Sequence, residues 1–198
     1  MVSPRILLAS SVLLLASLTA SAATNIVTNG DFEAAAPSVP GWVTGGDIFV
    51  QRVDPDFTPS ASHGNIYSDA STTVQGLLSQ TLSTTPGAHY TLEFDLYRLL
   101  QIDPVADNHV TVWFGSQQVW DQSNVNQDWT HYSVSNLIAS SGATLLQFGI
   151  RGGDADYPAL DNVSVIMTAI PEPSVAVMLA GGLLLIFGRR REKRAPPF

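Results

Sequence analysis

The sequence predicts an all-β body, a two-sheet antiparallel jelly-roll sandwich, flanked by an N-terminal signal helix and a C-terminal transmembrane helix. Three observations point there. Between Asn25 and Ala169, short runs rich in Val, Ile, Leu, Phe, Tyr and Thr recur, and several alternate apolar with polar side chains. Clusters of Gly, Pro, Asn and Asp separate the runs, which is how strands and turns are punctuated. No stretch between the two ends shows an amphipathic helical period, and no repeat of fixed length is present.

The elements follow in chain order. Residues 1–23 open with Arg5, continue as an apolar run from Ile6 to Leu18, and close on Thr19-Ala20-Ser21-Ala22-Ala23. One positive charge, a short apolar run and an Ala-x-Ala site form a secretory signal peptide, cleaved after Ala22 or Ala23. The alternative is an uncleaved N-terminal anchor. The body, residues 24–170, should hold about ten strands. Tyr90, Leu92, Phe94 and Leu96 alternate with Thr91, Glu93, Asp95 and Tyr97. Val110, Val112 and Phe114 alternate with His109, Thr111 and Trp113, and Leu146, Phe148 and Ile150 with Leu145, Gln147, Gly149 and Arg151. Period-two alternation puts one face in a core and the other in water. Further strands are expected at 26–32, 47–53, 65–70, 76–83, 117–121, 129–138 and 160–168. Phe114-Gly115-Ser116-Gln117 should turn a hairpin, and Thr85-Pro86-Gly87 should turn into the strand from His89. Trp42 and Trp129 are expected in the core, Trp129 plugging one end of the sandwich. Trp120 fits core or surface.

Residues 171–198 form a third segment. Pro171-Glu172-Pro173-Ser174 precede a 14-residue apolar stretch, Val175 to Gly188, and five basic residues among Arg189-Arg190-Arg191-Glu192-Lys193-Arg194 follow it. As a helix that stretch spans about 21 Å at ~1.5 Å per residue, short of the roughly 30 Å hydrocarbon core. The basic end belongs in the cytoplasm, so the body faces outward, in agreement with the signal peptide.

Charge and composition exclude several functions. Residues 24–170 carry fifteen Asp/Glu against Arg52, Arg98 and Arg151, a formal charge of −12, with no lysine. Such a surface repels phosphate backbones, so no nucleic-acid partner is expected. The absence of cysteine removes disulfides, cysteine zinc sites and thiol nucleophiles.

The Pro171-Glu172-Pro173 motif, the short apolar helix and the terminal arginines Arg189, Arg190 and Arg191 together resemble the PEP-CTERM sorting signal of Gram-negative, exopolysaccharide-producing bacteria. That resemblance implies an exosortase as partner, processing near Pro-Glu-Pro, transient membrane anchorage through the C-terminal helix, and delivery to the cell surface or the extracellular biofilm matrix. The alternative is a permanent single-pass anchor.

Four segments of the body carry a second resemblance: Asn25-Ile26-Val27-Thr28-Asn29-Gly30-Asp31-Phe32-Glu33 with Pro40-Gly41-Trp42, Gly76 to Leu82, Pro86 to Tyr90, and Leu160-Asp161-Asn162-Val163-Ser164-Val165. Together they resemble the galactose-binding-like jelly rolls, which include many carbohydrate-binding modules. The resemblance implies a structural Ca2+ tying the first strand to the last through Glu33, Asp161 and the main-chain carbonyl of Asp31, with a loop carbonyl near His63 or Asn65. Carboxylates plus carbonyls suit a hard ion that takes six to eight oxygens. Otherwise the two carboxylates simply cap turns.

A glycan-binding face follows if the strands at 89–99 and 108–114 pair. Glu93, Asp95, Tyr97, His109, Thr111 and Trp113 would then share one outward surface, extended by Gln147 and Arg151. Sugars suit such a surface because their C–H faces stack on aromatic rings while their hydroxyls meet polar groups. The partner would be exopolysaccharide or another glycan. Catalysis finds little support. Glu93 and Asp95 lie on one strand face, whereas glycoside hydrolysis needs carboxyls on opposite sides of a bond. The four histidines lack metal-ligand spacing, and no Gly-x-Ser-x-Gly elbow occurs. The expected role is a non-enzymatic matrix or adhesive protein, or alternatively a carbohydrate-binding module with a defined ligand.

Overall fold

A computed structural model of the chain describes residues 24–34, 39–46, 49–51, 66–68, 74–99, 108–152 and 157–168. The signal segment 1–23, the tail 171–198, and His63 and Asn65 fall outside the described residues.

Alternating side chains become strands wherever the sequence shows a clear period of two. Among the described residues ten strands form: β1 Val43–Gly45, β2 Phe49–Gln51, β3 Ile66–Ser68, β4 Gly76–Ser83, β5 His89–Leu99, β6 His109–Phe114, β7 Gln117–Ser123, β8 Thr130–Ile138, β9 Ala143–Arg151 and β10 Tyr157–Met167. They build two five-stranded antiparallel sheets. The front sheet has the order β1-β4-β9-β6-β7 and the back sheet β2-β3-β10-β5-β8. The fold is therefore an all-β two-sheet sandwich, as its alternation predicts.

The inward residues of both sheets form one core. Leu78, Leu82, Val110, Val112, Leu146, Phe148 and Ile150 come from the front sheet, and Leu92, Phe94, Leu96, Leu160 and Val165 from the back, all essentially sealed from water. Aromatic edges join the layers. Phe94 of the back sheet meets Phe148 of the front sheet edge-on at 5.5 Å, and Trp120 packs on Tyr132 at 4.6 Å, so Trp120 belongs to the core side. Trp42 also lies in the core, against Phe32 and Phe148, with its Nε1 donating to the Asn29 carbonyl at 3.0 Å.

Three expectations need correction. Residues 26–32 do not form a strand: the segment makes a single bridge, Asn25 to Ile166, then turns where Asn29 and Phe32 take positive φ (51° and 53°). Side chains replace the ladder there. Gln80 donates to the carbonyls of Thr28 and Gly41 and accepts from the Thr28 N–H, while Asn25 accepts from Val165. Second, Trp129 does not plug the sandwich; it stacks on Tyr97 at 5.2 Å in a satellite cluster with Ala159 and Tyr157, on the outer face of the back sheet. Third, β5 and β6 do not pair. They belong to different sheets, which divides the expected glycan face.

Candidate functional site

The outward face of the front sheet is organised in rows that cross the strands. Trp113 on β6 stands opposite Gln147 on β9 and Gln118 on β7; Gln147 stands opposite Ser79 on β4, and Ser79 opposite Val43 on β1. With strands ~4.8 Å apart, this row is roughly 19 Å long. Trp113 is 36% exposed, Leu145 on the adjacent strand is exposed, and so is Val43 at the far end of the row, so the row is an apolar and amide surface open to solvent.

The next row holds Asp121, Thr111, Gly149, Leu77 and Gly45. Thr111 is buried here. Gly149 leaves room for the Gln75 side chain, which crosses it and donates to Thr111 Oγ1 at 3.0 Å, while Thr111 donates to the Gly149 carbonyl at 3.3 Å. Thr111 thus forms a floor under Gln75. The third row pairs His109 with Arg151 and Ser123. His109 Nε2 bonds Asp121 Oδ1 at 2.9 Å and Gln118 Nε2 donates to Asp121 Oδ2 at 2.7 Å. The His109 bond holds the Asp121 carboxyl below its ordinary range, against the opposing effect of desolvation, with help from Gln118. A bulge between Val112 and Trp113 explains why Gln118 and Asp121, three residues apart, both face outward.

Of the residues expected to share a glycan face, the front sheet brings together Trp113, Thr111, His109, Gln147 and Arg151. Glu93, Asp95 and Tyr97 lie on the opposite side, on β5. There Asp95 is shared: His131 Nδ1 bonds one of its oxygens at 2.7 Å and Asn162 Nδ2 donates to the other at 2.8 Å. Tyr97 is covered by Trp129, and burial, with the nearby Asp128 charge, pushes its phenol up. Glu93 sits between Ser133 and Ser164. Sequence reading missed Gln75 and Gln118, the second because the bulge breaks the parity that would have placed it.

The expected metal residues meet where the N-terminal segment crosses β10. Val163 N–H donates to the Gly30 carbonyl at 2.8 Å, and a Cβ on Gly30 would overlap the Val163 carbonyl oxygen; only glycine allows this approach. Asp161 is 2% exposed and accepts from the Asn162 N–H at 2.7 Å. Burial, opposed by that hydrogen bond and reinforced by Asp95, Glu33 and Asp31, pushes its carboxyl up to about 7. Glu33 and Asp31 are exposed. Among the described residues no three acidic or histidine side chains already stand at metal-ligand spacing together. The carboxylates of Asp161, Glu33 and Asp31 and the main-chain carbonyls of this segment are oxygen donors of the kind a calcium ion takes. A cleft of ≈ 340 Å³ beside them is lined by Asn29, Gly30, Asp31, Asn162 and Ser164 among others.

Solved structures share this architecture. TmCBM61, in complex with beta-1,4-galactotriose, superposes with a TM-score of 0.54 over 73% of this chain and 99% of its own, at 14% identity. The likeness is one of fold, a two-sheet jelly roll. The CBM22-1 xylan-binding domain from Paenibacillus barcinonensis Xyn10C gives a TM-score of 0.50 over 76% of this chain and 99% of its own, at 15% identity. The enzymatically active domain of bacteriophage CBA120 tailspike protein 4 also reaches 0.50, at 16% identity over 73% of this chain, but the match spans only 21% of that chain. No protein-family model matches this chain, and no curated protein does.

Proposed function

We propose that the body is a non-catalytic carbohydrate-binding module whose ligand lies across the outward face of the front sheet. The observation that carries this reading is Trp113, a large exposed ring on β6, flanked by the Gln147 and Gln118 amides of its two neighbouring strands on the outward five-stranded face. A sugar ring stacks on the indole while carboxamides exchange hydrogen bonds with its hydroxyls. Gln75, held over Thr111, and the His109–Asp121 pair supply further polar groups along the same surface. The carbohydrate-binding modules of like fold support this reading over a purely structural matrix role. Residues Glu93, Asp95 and Tyr97 have no part in it. The test is a glycan array, including the exopolysaccharide of the native host, probed with wild type and Trp113→Ala. Binding lost in the variant supports the reading; no binding to any glycan removes it.

Two further parts belong to the same reading. Asp161, Glu33 and the Asp31 carbonyl hold a structural Ca2+ that locks the N-terminal segment to β10 and offsets the like charges gathered there. The signal peptide exports the chain, and the Pro171-Glu172-Pro173 tail presents it to an exosortase at the outer side of the inner membrane. What supports the tail reading is the order of its parts: motif, short apolar stretch, basic end.

A further inference from the structure

Gly149 lies on β9, the middle strand of the front sheet, and its missing side chain leaves a gap in the outward surface. The Gln75 side chain fills that gap. A Cβ on Gly149 would overlap both Gln75 Nε2 and Thr111 Oγ1, so the carboxamide rests directly on the glycine backbone. β9 thus carries two carboxamides on one face. Gln147 supplies one from the strand itself. Gln75 supplies the other two residues along, reaching across from the segment that enters β4. At ~3.3 Å per residue the two amides stand roughly 7 Å apart along the strand.

The hydrogen bonds fix which way round the Gln75 amide lies. The Gly149 carbonyl can only accept, so the Thr111 hydroxyl gives its one proton there, at 3.3 Å. Thr111 Oγ1 then offers only lone pairs to Gln75, and the amide nitrogen must be the atom that meets them; it donates at 3.0 Å. Thr111 is buried beneath this contact. The Gln75 carboxamide oxygen and its second N–H have no partner among the described residues. A long, flexible side chain has therefore lost much of its rotamer freedom before any ligand arrives. Gln147 makes no side-chain hydrogen bond among the described residues, so its amide can flip to suit a ligand. The Gln75 amide cannot.

We infer that Gln75 sets ligand specificity at this face, and that Thr111 and Gly149 act through it as positioning residues. The inference rests on the glycan-binding reading of the front sheet and adds the chemistry of the ligand. A fixed oxygen acceptor beside a fixed N–H donor matches two adjacent hydroxyls, one donating to Oε1 and the other accepting from Nε2. The ligand is a glycan that presents such a vicinal diol beside the ring stacked on Trp113. A sugar that lacks one of those hydroxyls, or carries a substituent on it, leaves the Gln75 groups covered and unpaired. A site built to bond a hydroxyl rejects such an analogue far more strongly than apolar contact separates one ring from another.

Mono-O-methylated sugars test this. Wild type, Gln75→Ala, Thr111→Val, Gly149→Ala and Trp113→Ala are screened on an array of hexose and pentose oligosaccharides. Each is then titrated with the tightest binder and with every mono-O-methyl derivative of it. Methylation of one vicinal hydroxyl should weaken wild-type binding about tenfold or more. Gln75→Ala should bind the parent sugar several-fold more weakly and show no further loss on methylation, because the group that met the hydroxyl is gone. Thr111→Val unfastens the amide and Gly149→Ala displaces it, so both should behave like Gln75→Ala. Melting temperatures show that each variant is folded; should Gly149→Ala not fold, Gln75→Ala and Thr111→Val carry the test. If Trp113→Ala abolishes binding while Gln75→Ala keeps the wild-type affinity and methylation profile, the glycan-binding face stands and the assignment of Gln75 is overturned. If wild type binds no oligosaccharide, the face reading falls and the assignment falls with it.

Discussion

Asp161 and Asp95 face each other across the β5–β10 ladder, yet Asp161 is buried while Asp95 is held by His131 and Asn162. The difference comes from the bulge that follows Asp161. Asn162 adopts φ 51°, which turns its side chain back onto Asp95 and returns Val163 to the core. One irregular residue therefore creates both the buried carboxyl and its crowded surroundings.

A pH dependence follows. Asp161 holds its proton up to about 7 in the folded domain, against the ordinary aspartate value of 3.8. The folded state binds that proton more tightly than the unfolded chain does. The contribution of Asp161 to stability without divalent cations is therefore fully present below about pH 4 and is lost as pH rises from about 4 to 7, by a few kcal/mol at most. Thermal unfolding in chelator between pH 4 and 8 should show this fall, and Asp161→Asn should flatten it. Calcium should raise Tm at pH 8 and much less at pH 5, where the proton competes for the site. Equal effects of calcium on wild type and Asp161→Asn would remove the assigned ion.

Gly30 should tolerate no side chain. Its Cα faces the Val163 carbonyl, so Gly30→Ala must push the N-terminal segment off β10 at a cost of about 1–3 kcal/mol. Denaturant unfolding of the variant measures the loss. Calcium affinity should fall with it, because Asp31 and Glu33 travel with the same segment.

The tryptophans should separate by role. Trp42→Ala opens the core beside Phe32 and Phe148 and should cost about 3–5 kcal/mol. Trp113→Ala removes a half-exposed ring from the front face and should leave stability within about 1 kcal/mol. Chemical denaturation of the two variants side by side checks this; equal losses would mean that Trp113 is a structural residue.

Processing should leave its mark on mass. Mature protein from the native host should begin near Thr24 and lack roughly the last 25 residues if an exosortase acts near Pro171. Intact-mass spectrometry reads both ends at once. Retention of the tail would instead favour a permanent anchor.

What the sequence revealed, and what it hid, has a common physical origin. Alternation states which side chains face inward, so the buried residues of β5, β6 and β9 were legible. It does not state which strand lies beside which, because pairing depends on where the connections cross; hence β5 and β6 looked like neighbours and are not. The segment 26–32 has the composition of a strand but is bonded through Gln80 and Asn25, whose carboxamides carry no periodicity. Val43–Gly45 is too short, and too close to glycines, to register as a strand at all. Asp161 and Glu33 were singled out through resemblance. The role of Asp95 as a hub between His131 and Asn162 was not, since it needs the register of three strands.

The central claim is that the front sheet binds a glycan through Trp113 and its flanking amides. Isothermal titration of the purified domain with the glycan selected on the array tests it most directly, with Trp113→Ala, Gln147→Ala and the opposite-face variant Glu93→Ala run in parallel. The account predicts saturable binding by wild type and Glu93→Ala, weakened about tenfold or more, some 1.4 kcal/mol, by each front-face substitution. Binding unchanged by Trp113→Ala, or abolished by Glu93→Ala in a folded variant, would contradict it.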